Sequence, residues 1–215
     1  MNVFVLGGSA SGKSAFAESV SVSLSKKNAQ SKLVYFATLD SDSGGDSAER
    51  IARHQNMRKG KGFFTVELSS LFPSFSFCSQ FGAELSFEEV FSPFSTVLFE
   101  DVGNLVARAM FQKDGVLTES EAVEKSISLI ELVAKWSANT IFVSNEVSLE
   151  MSAKNPPILS YLSALSRVNA FIASLSHQSV FVIAGIPVAL NDEAKKTAVF
   201  HSQKPPFDSF LKSTF

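Results

Sequence analysis

The chain has 215 residues, a formal net charge of −2 and one cysteine, Cys78. This length suits one α/β domain carrying an elaboration. The charge excludes a global basic field for nucleic acid or anionic lipid, and the lone cysteine excludes a disulfide framework or a cysteine-rich metal site. No uninterrupted apolar run approaches ~18 residues, so no membrane span is expected. The first residues read as a core strand rather than a leader, and a reducing, cytoplasmic setting is the expectation. The aromatic residues are almost all Phe, which without any low-complexity repeat reads as lineage bias.

Val3-Phe4-Val5-Leu6 is a short buried strand, and Ala15 to Val20 open a helix that runs over about 13–26. Between them lies Gly7-Gly8-Ser9-Ala10-Ser11-Gly12-Lys13-Ser14, a match to G-x-x-x-x-G-K-[ST] in its proper strand–loop–helix setting. Glycines let successive N–H groups point inward at phosphate oxygens, and the helix N-terminus adds positive potential. Lys13 would reach the β- and γ-phosphates, and the Ser14 hydroxyl would ligate Mg²⁺. A nucleoside triphosphate site is expected here.

Leu33 to Ala37 form a second strand, ending at Thr38-Leu39 and a polar loop from Asp40. The acidic spacing of that loop resembles a calcium loop, but the twelfth position is Ile51, where a bidentate Glu is needed. Asp46-Ser47-Ala48-Glu49 has capping-box form and starts a helix on which Arg50, His54 and Arg58 share one face, with Arg53 and Met57 beside them. Gly60 and Gly62 stop it, and Phe63 to Leu68 follow as a strand. Residues 69–94 show no clean period and read as a variable excursion, in which Phe87 to Phe91 could close a short helix.

Thr96 to Phe99 form a strand that ends in Glu100-Asp101, and Leu105 to Phe111 are helical. From Thr118 to Trp136 an amphipathic helix presents Val123, Ile127, Ile130 and Ala134 on one face. Thr140 to Ser144 are the next strand, ending at Asn145-Glu146. Pro156-Pro157 begin a long helix carrying Ile158, Leu162, Leu165, Val168, Ile172 and Leu175. Val180 to Ala184 close the parallel set at Gly185-Ile186-Pro187, and the tail from about 190 packs loosely. Apolar runs alternating with amphipathic helices predict a single α/β domain over 1–215, of the P-loop NTPase (RecA-like) kind. Its sheet is mostly parallel with helices on both faces. Gly7, Thr38, Glu67, Glu100, Asn145 and Gly185 should converge on the rim at the carboxyl ends of the strands.

A P-loop enzyme needs an acid at the end of a second core strand to hold Mg²⁺, and Glu100 or Asp101 fits; the alternative for either is an acid favoured by a helix dipole. His54 stands one turn from arginines on both sides, whose charge lowers its pKa and helps keep it neutral, as a nucleophile requires. The residues alone leave phosphate contact, nucleophile and solvated face open. His177 and His201 have no such company and read as surface residues.

Taken together the motifs resemble the bifunctional adenosylcobinamide kinase / adenosylcobinamide-phosphate guanylyltransferase family of cobalamin biosynthesis. The resemblance rests on the P-loop 7–14, Tyr35-Phe36-Ala37-Thr38, Arg50-Ile51-Ala52-Arg53-His54 through Arg58, Thr65-Val66-Glu67 and Leu98-Phe99-Glu100. It continues through Val143-Ser144-Asn145-Glu146-Val147, Arg167-Val168-Asn169 and Ala184-Gly185, in order over about 1–190.

The resemblance implies two reactions. ATP or GTP phosphorylates the aminopropanol hydroxyl of adenosylcobinamide. His54 then attacks the α-phosphate of GTP, and the guanylyl group passes to adenosylcobinamide phosphate, giving adenosylcobinamide-GDP and pyrophosphate. By position, Ala37, Thr38, Leu39, Arg50, Gln55, Asn56, Met57, Arg58, Glu67 and Glu100 join the P-loop in contacting nucleotide. Lys13 and His54 are then catalytic, and Ser14 and Glu100 hold Mg²⁺. Family members resemble one another in forming homo-oligomers, so a trimer is implied.

The chain departs from the family pattern at Ala10, usually Arg, at Asp101 and Gly103, usually Cys and Thr, and at Arg108, usually Asn. Ser148 and Glu150 stand where glycines are common. These changes bear on corrinoid binding and the kinase step more than on guanylylation. The alternatives are retention of one activity only, a P-loop switch or scaffold, and a kinase for another small metabolite.

Overall fold

β1 (Asn2–Gly7) enters the P-loop, and α1 (Lys13–Ser25) leaves it. There follow β2 (Leu33–Ala37), β3 (Phe64–Glu67), a single turn α2 (Leu68–Leu71), β4 (Thr96–Glu100) and α3 (Val102–Met110). A small hairpin, β5 (Phe111–Gln112) and β6 (Gly115–Val116), leads to α4 (Glu119–Trp136) and β7 (Asn139–Asn145). The domain closes with α5 (Pro156–Leu175), β8 (Gln178–Ile183) and β9 (Ile186–Ala189). These elements come from a computed structural model, which describes residues 1–39, 52, 55–71, 90–112, 115–146 and 155–190.

One seven-stranded sheet runs β3-β2-β4-β7-β1-β8-β9, parallel throughout except for β9. Its central strands are buried on both faces, which is why they read as continuous apolar runs. Alternation then sorts their side chains. Val5, Tyr35, Leu98 and Val143 pack under Phe16, Ala17 and Val20 of α1. Phe4, Phe36, Phe99 and Phe142 face the opposite way, into a core closed by α3, α4 and α5. There the phenylalanines form a ladder across β2, β4 and β7: Phe36 and Phe99 lie 5.2 Å apart between centroids, and Phe99 and Phe142 lie 5.5 Å apart. Several of the many Phe residues therefore have a packing role.

Several boundaries and faces differ from the sequence reading. The helix expected over 105–111 begins at Val102, because Asp101 caps it by accepting from Asn104 N at 2.7 Å, and Phe111 belongs to the β5–β6 hairpin. α4 starts at a capping box, Thr118 with Glu121, and buries Ala122, Ser126, Leu129 and Val133 beside Val123 and Ile130. Ile127 and Ala134 are only partly buried, since the core contact is centred one position away.

In α5, Ala164, Leu165, Val168 and Ile172 are buried, whereas Ile158 in its first turn is 44% exposed. By length and composition α5 is apolar enough to cross a membrane, despite its polar interruptions, and its buried face joins the core of the domain. The sheet does not end after β8 either. Ala184 (φ 49°) and Gly185 (φ 78°) make a two-residue turn with both central φ positive, which matches strand twist and folds β9 back antiparallel. Pro187 is tolerated because β9 is the edge. Most of 69–94, and the tail 191–215, lie outside the described residues.

Phe99, central in the ladder and fully buried, is the sharpest test of this packing. Phe99→Ala should destabilise the fold by about 3–5 kcal/mol and Phe99→Leu by less than about half of that, measured by urea unfolding at unchanged m-value.

Candidate functional site

The parallel register brings the strand ends to one rim. Gly7 lies opposite Asn145 and Val182, Ala37 opposite Glu67 and Glu100, and Glu100 opposite Val143. The P-loop curls at the centre of this rim. Ser11 N donates to Gly8 O at 3.2 Å, and Gly185 N donates to Ser11 O at 2.7 Å, tying the loop to the β8–β9 turn. Only glycine fits at two of its positions. A Cβ on Gly7 would lie 2.7 Å from Val182 O, and one on Gly12, at φ 92°, would lie 3.2 Å from Gly185 Cα. Ala10 also takes left-handed backbone, at φ 55°.

Lys13 is 8% exposed and donates from Nζ to Gly8 O at 3.2 Å, folded over its own loop. In the next position the Ser14 hydroxyl donates to Glu100 Oε1 at 2.5 Å. Glu100 reaches it because it shares the α1 face of the sheet with Ala37, its register partner, and Leu98, two residues earlier. Serine hydroxyl and carboxylate are hard oxygen donors converging at the loop mouth, the kind of pair Mg²⁺ accepts alongside phosphates and water. Among the described residues no group of three or more His, Cys, Asp or Glu could hold a metal ion. Ser14 and Glu100 thus fit a cation that takes most of its ligands from substrate.

The two acids at the end of β4 divide their work. Asp101, joined to Glu100 by a cis peptide, is the α3 cap and also receives Asn145 Nδ2 at 3.4 Å on Oδ2. Its backbone is pinned by Thr38, whose Oγ1 both donates to Asp101 O and accepts from Asp101 N at 2.8 Å. Thr38 O accepts from Arg108 Nη1 at 3.4 Å, so Arg108 points back at the rim. Gly103 is hemmed in by Tyr161, whose hydroxyl donates to Gly103 O at 3.3 Å.

On the α1 side, Gln55 to Arg58 form a helical turn in which Gln55 and Asn56 are exposed, Met57 is half-buried and Arg58 is buried. Arg58 Cζ sits 3.3 Å above the Tyr35 ring. The Tyr35 hydroxyl donates to the Glu100 carboxylate; burial first, and then the Glu100 charge, hold the phenol well above its usual range, against the opposing pull of Arg58. Phe63 meets the same ring edge-on at 6.4 Å, and Lys61 pairs with the fully buried Glu18 of α1 at 2.6 Å. The segment after position 54 is therefore fastened to the P-loop side of the sheet.

Residues 3–190 match the family model described as cobinamide kinase / cobinamide phosphate guanyltransferase. The chain belongs to this family. It is accordingly a transferase, of a family with kinase and guanylyltransferase activities, and its seven-stranded sheet is the P-loop NTPase framework of the cobinamide kinase / guanyltransferase family. No curated protein matches the chain closely enough to add to that assignment.

Within this family member the structure brings together Gly7 to Ser14, Ala37, Thr38, Arg58 and Glu100. Leu39 is half-buried just beyond Thr38. Glu67 lies on the same rim, opposite Ala37 in register, but far from the P-loop: β3 is four strands from β1, roughly 19 Å at about 4.8 Å per strand. Arg50 and His54 lie outside the described residues, as does His201. His177 is exposed, as read, and has a structural contact, accepting from Asn2 N on Nδ1 at 3.0 Å. The sequence reading gave no role to Tyr35, Glu18 or Lys61. The signals were a hydroxyl in a strand otherwise built of Leu, Val, Phe and Ala, and an acid among apolar residues of α1.

Gly12→Ala should weaken GTP binding at least tenfold, by calorimetry, and destabilise the domain by about 1–3 kcal/mol, since it adds both a backbone strain and a clash with Gly185.

Proposed function

We propose that this chain carries out both reactions of its family: phosphorylation of adenosylcobinamide by ATP or GTP, and guanylyl transfer from GTP to the resulting phosphate. The reading rests most directly on the Ser14–Glu100 contact at the mouth of the P-loop, with Lys13 and Arg58 buried beside it. Phosphoryl transfer asks the protein for positioning and charge neutralisation, and these residues supply both. Backbone N–H groups of 8–14 hold the triphosphate, and Lys13 exchanges Gly8 O for a phosphate oxygen. Mg²⁺ held by Ser14 and Glu100 supplies further neutralisation of the phosphates.

In the first reaction the aminopropanol oxygen bonds to the γ-phosphorus as the bridge to the β-phosphate breaks, and the hydroxyl proton passes to water. In the second, a neutral imidazole nitrogen of His54 bonds to the α-phosphorus of GTP and pyrophosphate leaves. A phosphate oxygen of adenosylcobinamide phosphate then displaces the imidazole, restoring His54 and releasing adenosylcobinamide-GDP. Arg58, four residues after His54, is a cation for the phosphates in transit. Glu67, far along the rim, suits the nucleoside end of a nucleotide whose phosphates lie on the P-loop. The exposed Ile183, Ile186, Val188 and Leu190 at the sheet edge support assembly into homo-oligomers.

Incubation with α-³²P-GTP and Mg²⁺ should give wild type an acid-labile, alkali-stable label that survives denaturing electrophoresis, and His54→Ala none. Equal labelling of both would move the nucleophile elsewhere. A wild type that binds GTP without being labelled would leave a kinase or a nucleotide switch.

A further inference from the structure

We propose that Tyr35 is a positioning residue that couples the two halves of the site, its hydroxyl setting Glu100 against Ser14 and its ring holding Arg58 edge-outward for phosphate. The proposal rests on the reading above, in which Glu100 serves the cation and Arg58 the nucleotide.

The observations are independent of one another. The Tyr35 hydroxyl bonds to the carboxylate that accepts from Ser14. Its ring carries the Arg58 guanidinium at 3.3 Å, and Phe63 closes the ring's edge at 89°. Both Tyr35 and Arg58 are 7% exposed. Packing alone would be satisfied by phenylalanine, the residue that fills the corresponding inward positions on the other face of the same strands. A buried phenol must find a partner, and here the partner is a carboxylate at the rim.

Stacking by the flat face is also a specific way to hold a guanidinium. It uses the π-surface and leaves the in-plane N–H groups available. Arg58 Nη1 is buried and has no hydrogen-bond partner among the described residues. A guanidinium held so, four residues from His54 in sequence, is prepared to receive an anion. Lys61 on Glu18 anchors the same segment a few residues later, so Arg58 has little freedom to swing away.

Ring and hydroxyl are separable by mutation. Tyr35→Phe keeps the platform and removes the donor to Glu100. It should raise the Mg²⁺ concentration that half-saturates fluorescent mant-GTP binding about tenfold, the worth of one hydrogen bond to a charged group, with metal-free nucleotide affinity unchanged. Tyr35→Leu removes both. It should weaken metal-free binding as well, and that metal-free loss should disappear in an Arg58→Ala background, where only the hydroxyl's effect on the Mg²⁺ midpoint remains.

A Tyr35→Phe protein whose Mg²⁺ midpoint stays within twofold of wild type would overturn the proposal. So would additive losses of metal-free nucleotide affinity in Tyr35→Leu/Arg58→Ala, which would make the ring mere core packing. Thermal unfolding of each variant, run below its midpoint for the binding assays, separates these outcomes from misfolding. Failure of the guanylyltransferase reading would show differently, as absent ³²P labelling of wild type while the Mg²⁺ shift in Tyr35→Phe persists.

Discussion

The face on which Glu100 emerges from β4 decides whether an acid stands beside the P-loop. Side chains alternate along a strand, so a slip of one residue in the pairing of β4 with β2 and β7 would send Glu100 into the core closed by α3, α4 and α5. In the observed register it faces α1, where the second residue of that helix, Ser14, meets it. The phenylalanine ladder holds the register from the other side of the sheet. Phe99 lies between Phe36 and Phe142 only when the strands are aligned as they are. Core packing and site geometry are therefore one constraint seen from two faces.

The rim is stiff where phosphate would sit and tied down around its border. The P-loop is closed by its own turn and by Gly185 reaching Ser11, and Thr38 fastens β2 to the start of α3 through the Asp101 backbone. Such ties hold donors in place before a ligand arrives, which is where electrostatic catalysis gets most of its effect. Asp101 shows how adjacent acids separate by environment: one residue beyond Glu100, it is committed to a helix cap and to Asn145. Two carboxylates adjacent in sequence thus face different surroundings, one the P-loop serine and the other a helix N-terminus.

Much of this was legible in advance. The P-loop was readable because its glycines answer to backbone geometry that no other residue tolerates, as Gly7 and Gly12 show. The strands were readable because burial on both faces leaves continuous apolar runs. The faces of the helices were legible in part: Val123 and Ile130 in α4 and Leu165, Val168 and Ile172 in α5 are buried as periodicity favours, whereas Ile127, Ala134 and Ile158 are not fully covered, because what a helix buries depends on where its partner lies. The β8–β9 hairpin was missed because Ala184 adopts a positive φ that its residue type does not advertise.

The amino-acid sequence by itself determined the fold class, the order of the parallel strands' motifs and the family, since these depend on local patterns and on residues with narrow chemical uses. Only the tertiary structure decided which of Glu100 and Asp101 faces the P-loop, that Glu67 lies four strands away, and that Tyr35 joins Arg58 to Glu100. Those outcomes depend on strand order and register, which bring together residues more than twenty positions apart. A pattern read along one chain has no term for a neighbour supplied by another part of it.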